Sequence, residues 1–396
     1  MKSIIKFLLP AFVLLMACTK QDIMPEPIGS PVDGTKGPIK TWQQIIEESP
    51  YTLFKAALAK SGMDQVLKTS NIPNYTLLVP TDDAFNAAGW TAQRINTSSK
   101  EELSAMLSFH IISSRLESAS MQDIRGNIPA KTISSRQLDG HGNWYKRYND
   151  YLYIGKYGDS LMINGIGQNK WGVVTPGING MVYPISHVLM PPTESMWEYI
   201  ENNPEFSLYR DAILLSDSLY TEMWMYMGII DLLNSGTGIA PFTLYLPTNE
   251  AFHKSGFNTT EDIYNYCMRS WPLPDPDYDE NLFYQQPVTA IDSILFPHGT
   301  EVYTTSQLFG EAELGPVYFS NDLLDIPYLL SGMTLYKGER YSTGPVHISL
   351  DFRNNNGQPM IRRYGTNMPF VPLKSKDHRV LNGVIHVVDD LMQLSN

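Results

Sequence analysis

Cysteine is nearly absent from this chain. Its 396 residues include Cys18 and Cys267 and no others, which excludes a disulfide framework. The fold must rest on burial, which a chain of this length can supply. A run of about 20 apolar residues, the length a membrane-spanning helix needs, is also missing; the stretch from Phe7 to Leu15 is too short and is broken by Pro10. Positive charge is scarce. Lys and Arg number 29 against 41 Asp and Glu, a formal net charge of −12, which opposes nucleic acid or anionic lipid as a partner. Signatures of catalysis are lacking as well: there is no Gly-x-Ser-x-Gly elbow, phosphate-cradling Gly-Lys loop or dinucleotide fingerprint. The 8 His are scattered without metal-ligand spacing. These absences predict a binding protein rather than an enzyme, with no catalytic residues, no metal and no cofactor.

What is present begins at the N-terminus. Lys2 and Lys6 precede the apolar stretch, and the segment ends Leu15-Met16-Ala17-Cys18. A basic start, a short apolar core and a small residue before the cleavage point describe a secretion signal. The final four residues resemble the lipobox of bacterial lipoproteins, which implies cleavage after residue 17 and acylation of Cys18. Several acyl chains hold a protein at a membrane effectively permanently, at roughly 0.8 kcal/mol per buried methylene. Thr19 follows the cysteine, not the Asp that often retains such proteins at the inner membrane, so the resemblance implies the outer membrane, with the body facing either the periplasm or the cell surface. Losing Lys2 and Lys6 would take the formal charge from −12 to −14. Residues 18–40 carry Pro25, Pro27, Pro31 and Pro38 and no apolar periodicity. Such a tether, at about 3.1 Å per residue, reaches roughly 60 Å.

The body contains a repeat. Thr76-Leu77-Leu78-Val79-Pro80-Thr81-Asp82-Asp83-Ala84-Phe85 recurs as Thr243-Leu244-Tyr245-Leu246-Pro247-Thr248-Asn249-Glu250-Ala251-Phe252, identical at six of ten positions. Each copy reads as a buried strand ended by Pro, then a Thr N-cap, then acidic or amide residues in the first helical turn. A helical face precedes each one: Leu53, Phe54, Ala57 and Leu58 before a stop at Gly62, and Phe206, Tyr209, Ala212 and Ile213.

The repeated segment resembles the first signature of the fasciclin family. Asn382-Gly383-Val384-Ile385-His386-Val387-Val388-Asp389-Asp390-Leu391 resembles the second signature closely. Asn179-Gly180-Met181-Val182-Tyr183-Pro184-Ile185 resembles it more loosely, with Tyr183 where the family has His. The family's Tyr-His element is similar to Phe109-His110 and to Pro297-His298. The resemblance covers about residues 40–394. It implies an α+β fold of two tandem fasciclin-like domains, each a bent β-sandwich wedge with small packing helices. It also implies adhesion to a protein or glycan, and a structural role for His110 and His386. The expected organisation is a lipoprotein signal peptide at 1–17, a tether at 18–40, and domains at 41–192 and 193–396. The second copy is about 36 residues longer, part of the excess falling at Ser270–Thr289 and part among hairpins between Gly310 and Lys376.

Two aromatic stretches are the candidate contact surfaces. One holds Trp144, Tyr145 and Tyr148, followed by Tyr151, Tyr153 and Tyr157; the other holds Trp271 and Tyr278 with Phe283 and Tyr284. Aromatic rings with polar edges suit glycan or protein contacts. The first stretch reads equally as a hairpin, with Tyr151 and Tyr153 on one face and a turn at Gly158-Asp159 before Leu161 and Ile163. Asp275 to Glu280 has the alternating acids of a calcium loop but lacks its Gly and closing Glu. The expected function is that of an outer-membrane lipoprotein, lipid-anchored and carrying an adhesion or ligand-binding module, one specific version being an accessory of an outer-membrane nutrient importer. The alternatives are an extracellular polymer hydrolase and a structural envelope spacer.

Overall fold

A computed structural model describes residues 39–139, 145–220, 228–234, 241–269, 290–300, 314–324, 328–331 and 348–392. The tether and Cys18 fall outside the described residues, as do Trp144, Trp271, Tyr278 and the insertion at 270–289.

The first half opens with helices α1 (Trp42–Glu48), α2 (Thr52–Ser61) and α3 (Met63–Thr69), then strand β1 (Tyr75–Pro80). Helices α4 (Asp82–Ala87), α5 (Ala92–Thr97) and α6 (Lys100–Phe109) follow, then β2 (Ile111–Ile112), α7 (Ser118–Met121), β3 (Ile128–Asp139), β4 (Tyr145–Tyr157), β5 (Ser160–Ile163), β6 (Ile166–Lys170), β7 (Thr175–Gly177) and β8 (Gly180–Ile185). The second half starts with α8 (Met196–Asn202), α9 (Ser207–Tyr220) and α10 (Ile229–Leu233), then β9 (Phe242–Pro247), α11 (Asn249–Lys254), α12 (Thr260–Arg269) and α13 (Asp292–Leu295). It ends with β10 (Tyr328–Ser331), β11 (Ile348–Asn355), β12 (Gln358–Arg363), β13 (Val371–Val380) and β14 (Gly383–Val388).

Each half builds one sheet. Among the described residues, the first has eight strands in the order β6-β5-β4-β3-β2-β1-β8-β7, and the second six in the order β10-β11-β12-β13-β14-β9. In both, the opening strand of the repeat pairs in parallel with the closing strand: β1 with β8 (Leu78 opposite Tyr183) and β9 with β14 (Tyr245 opposite His386). Other pairings are antiparallel, and irregularities bend the sheets. One lies between Lys131 and Ser135 of β3, and two lie between Leu373 and His378 of β13. Irregular register of this kind kinks a strand and lets one sheet wrap into a wedge.

Alternation along the central strands decides the layers. Leu77 and Val79 pack with Phe54, Ala57, Phe85, Trp90 and Leu107 of the helical layer, whereas Leu78 points into the wedge with Phe109, Leu152, Ile163 and Ile185. In the second half Leu244 and Leu246 join Phe206, Tyr209 and Phe252, while Tyr245 joins Leu350, Phe352 and Ile361. Strands buried on both faces are therefore apolar throughout, as β1 and β9 are. Gly62 ends α2 in the left-handed region at φ 72, where a Cβ is strained. Cys267 is buried in the second helical layer.

Candidate binding surfaces and the buried framework

Thr81 and Thr248 cap their helices as expected, accepting from Ala84 N–H (3.2 Å) and Ala251 N–H (3.4 Å). The next residue has a longer reach. The Asp82 carboxylate accepts from the backbone of Thr52 (3.2 Å) and Leu53 (3.0 Å) and from the Thr52 hydroxyl (2.5 Å), so it caps α2 as well as standing in the first turn of α4. Burial would raise its pKa, but these bonds and Lys55 hold it below the ordinary carboxylate value. Asn249 does the same job at α9, accepting from Leu208 N–H (2.9 Å) and donating to Pro204 O (3.0 Å). The repeated signature thus ties a strand-to-helix junction to the helix before it.

The histidines are fixed in the framework. His110, fully buried, accepts from Leu189 N–H at Nε2 (2.9 Å) and donates from Nδ1 to Met106 O (2.9 Å). His298 accepts from Met392 N–H at Nε2 (3.2 Å) and donates from Nδ1 to Tyr245 O (2.7 Å). Leu189 and Met392 stand at the same distance past Gly180 and Gly383, so Phe109-His110 and Pro297-His298 are equivalent, as the sequence predicts. Burial pushes both imidazoles down to about 4, which keeps them neutral at neutral pH.

Tyr183 and His386 are also equivalent. The Tyr183 hydroxyl donates to Leu116 O (2.7 Å), and His386 Nε2 donates to Tyr318 O (2.9 Å). Leu116 and Tyr318 in turn donate backbone N–H groups to the hydroxyls of Thr76 (2.9 Å) and Thr243 (2.8 Å), which open the two repeats. A phenol replaces an imidazole and performs the same bond, so the departure at Tyr183 leaves the framework intact. Asn179 and Asn382 complete it, accepting from Trp42 N–H and Met196 N–H (2.9 Å each) to anchor the first helix of each half.

The hairpin reading of the first aromatic stretch holds where side chains are described. β4 and β5 pair antiparallel around Gly158-Asp159, with Tyr157 opposite Ser160 and Ile154 opposite Ile163. Tyr145 and Tyr148 lie on β4 opposite Asp139 and Arg136; their side chains lie outside the described residues. Tyr151 and Tyr153 are not open contact residues. They pack with Val317, Phe319 and Val384 of the second half, Tyr153 against Phe319 at 5.3 Å between ring centroids.

That packing belongs to a seam the sequence did not reveal. Asn127 donates its N–H to Asp322 Oδ1 (2.6 Å) and its amide to Asp322 Oδ2 (2.8 Å), and exchanges two amide bonds with Asn321 (3.1 and 2.9 Å). Gly165 comes so close to Asp377 that a Cβ there would lie 2.3 Å from the carboxyl carbon. Asp377 sits at φ 63 in the irregular part of β13 and accepts from Ser320 N–H (2.6 Å) and its hydroxyl (2.5 Å). Burial raises Asp322 to about 6, outweighing its backbone and Asn127 bonds.

An open groove of about 340 Å³ lies between α3, α6 and β3, floored by Met63, Leu67 and Ile72 and edged by the hydroxyls of Ser70, Ser104 and Ser134. Among the described residues, no group of three or more His, Cys, Asp and Glu is placed to hold a metal ion, and no helix is long and apolar enough to cross a membrane.

Comparison with known proteins finds likeness to fasciclin domains in the first half. The Fasciclin domain family model matches residues 49–191. Fasciclin-like arabinogalactan protein 12 of Arabidopsis thaliana is 26% identical over 132 residues, which are 33% of this chain and 51% of that protein; the chain thus spans about half the length of this relative. A solved FAS1 domain pair from the insect cell adhesion molecule fasciclin I is 16% identical, covering 86% of this chain and 96% of that one, with a TM-score of 0.33. A fasciclin domain is matched across residues 49–191, and the second half repeats its strand, helix and hydrogen-bond framework.

Proposed function

We propose that the protein is an adhesion or ligand-binding module, held at the outer membrane of a bacterial envelope by acyl chains on Cys18. The matched fasciclin domain carries this reading, because resemblance to that family implies adhesion to proteins or glycans. The framework residues support it. His110, His298 and His386 spend both ring nitrogens on backbone groups, and the Asp82 carboxylate is used in capping. These groups serve the fold and leave recognition to outward faces. The seam between the halves makes those faces parts of one body, so ligands on either half bear on the same anchor.

Two measurements test the proposal. Cells expressing the full chain incorporate labelled palmitate and retain the protein in the outer-membrane fraction; Cys18→Ala abolishes both. Absence of label on the parent chain would refute the anchor. Cells displaying the protein attach to extracellular-matrix or glycan-coated surfaces more than deletion cells do, and equal attachment on every surface refutes the adhesive role.

A further inference from the structure

The outer face of the β11–β12 hairpin carries two arginines, Arg353 and Arg362, in a chain that is acidic overall. Between Ile348 and Val380 stand six basic residues (Arg353, Arg362, Arg363, Lys374, Lys376 and Arg379) against Asp351 and Asp377, although the whole chain carries −12. The register sorts them. Asp351 pairs with Arg362, Arg353 with Met360 and Asn355 with Gln358. Alternation therefore puts Asp351, Arg353, Asn355, Gln358, Met360 and Arg362 on one face. Leu350, Phe352 and Ile361, of opposite parity, are buried in the wedge, so the first set looks outward.

The two guanidiniums on this face are held in place. Arg353 lies 4.4 Å and Arg362 4.2 Å from the centroid of Phe370, close enough for cation–π attraction. Arg362 gives Nε and Nη2 to Asp351 (2.9 and 2.8 Å). Its Nη1 is not used in that pair. Arg353 is exposed and forms no ion pair among the described residues. A guanidinium whose position is fixed by an aromatic ring, with its donors open to solvent, is prepared to bind an oxyanion through two parallel bonds. Beside it, Asn355 and Gln358 are exposed and offer amides that both donate and accept, as sugar hydroxyls do.

We propose that this face is a binding site for an acidic oligosaccharide. A uronate-type carboxylate docks on Arg353, and neighbouring sugar hydroxyls dock on Asn355 and Gln358. Charge complementarity selects an anion, and the amides beside the guanidinium select a hydroxyl-rich one. The net negative charge of the chain disfavours a flat anionic bilayer, whose whole surface would face the protein. The proposal rests on the binding-module reading above and names a ligand class for it.

Calorimetric titration of the full chain with oligogalacturonate, with neutral maltohexaose and with phosphatidylglycerol vesicles tests the site. Oligogalacturonate binds the parent and maltohexaose does not. Arg353→Ala weakens binding by about tenfold or more, the loss expected for one charge-assisted contact. Arg353→Lys keeps the charge but loses the fork, and recovers only part of the affinity. Gln358→Ala weakens binding without changing its salt dependence. Arg94→Ala, the same charge change in the first half, leaves binding as in the parent. The assignment is overturned if the parent binds no oligogalacturonate, if Arg353→Ala binds as the parent does, if Arg94→Ala costs as much as Arg353→Ala, or if the vesicles bind more tightly than the sugar. Should oligogalacturonate fail while displaying cells still attach to surfaces, this site falls and the adhesive function stands.

Discussion

Replacing Asn127 with Ala probes the union of the two halves. Its side chain exchanges two amide bonds with Asn321 and donates one to the Asp322 carboxylate, all across the seam. Neutral bonds contribute about 0.5–1.5 kcal/mol each, and a bond to a charged group about 1.5–3. Their sum is about 2.5–6 kcal/mol, which water entering the half-buried site reduces to about 2–4. The Asn127 N–H to Asp322 bond survives because it belongs to the backbone. Inside the first half the side chain only packs against Gly155, and all three of its hydrogen bonds cross the seam, so most of the cost falls on docking. In urea, the parent unfolds in one transition; Asn127→Ala separates it into two, or lowers the midpoint by the equivalent of about 2–4 kcal/mol. Amide exchange quickens at residues 126–128 and 319–322 and stays slow in β1 and β9. A variant that unfolds within about 0.5 kcal/mol of the parent, with unchanged exchange at the seam, would refute the claim that these amides hold the halves together.

Further outcomes follow from the same geometry. His110 and His298 are lowered from 6.5 to about 4, so the stability they confer is present above pH 6.5 and is lost as the pH falls through that value, by about 3 kcal/mol each at pH 4; thermal melts from pH 8 to 4 read the fall. Asp322 has the opposite sign: raised from 3.8 to about 6, it confers stability fully present below pH 3.8 and lost as pH rises toward 6, so the difference between parent and Asp322→Asn shrinks with rising pH across that window. Tyr183→Phe costs about 1–2 kcal/mol through the lost bond to Leu116 O; equal melting of Tyr183→Phe and parent refutes its equivalence to His386. Asp82→Ala uncaps α2 and costs about 2–3 kcal/mol, seen as early exchange of the Thr52 and Leu53 amides. Gly165→Ala drives a Cβ into Asp377 and loosens the seam while each half keeps its fold, which limited proteolysis between the halves detects.

Much of each half was legible in the sequence because its signals are local. Thr81 and Thr248 cap helices three residues on, Gly62 ends α2 with its own φ, and the apolar faces of α2 and α9 repeat at helical spacing. The hairpin turn at Gly158-Asp159 could be read from its two residues and the alternation around them. The long-range partners could not. Asp82 looked like an ordinary first-turn acid, yet its carboxylate caps a helix that begins 30 residues earlier. Asn127, Asp322 and Asp377 carry no motif, and a signal for them exists only in Gly126 and Gly165, whose positive φ values and missing side chains admit the opposing carboxylates.

The sequence by itself determined the repeat, the strand-to-helix junctions, the family resemblance and the inward faces of the elements, since those follow from spacing along the chain. Tertiary structure decided which surfaces remain outside. Tyr151 and Tyr153 have the composition of a contact surface, and folding covers them with Phe319 and Val384. Arg353 and Phe370 stand on different segments of the chain, and folding sets guanidinium over ring. The reason is that an aromatic or charged side chain carries the same chemistry in a seam as on a surface, and only the packing of elements distant along the chain assigns it to one or the other.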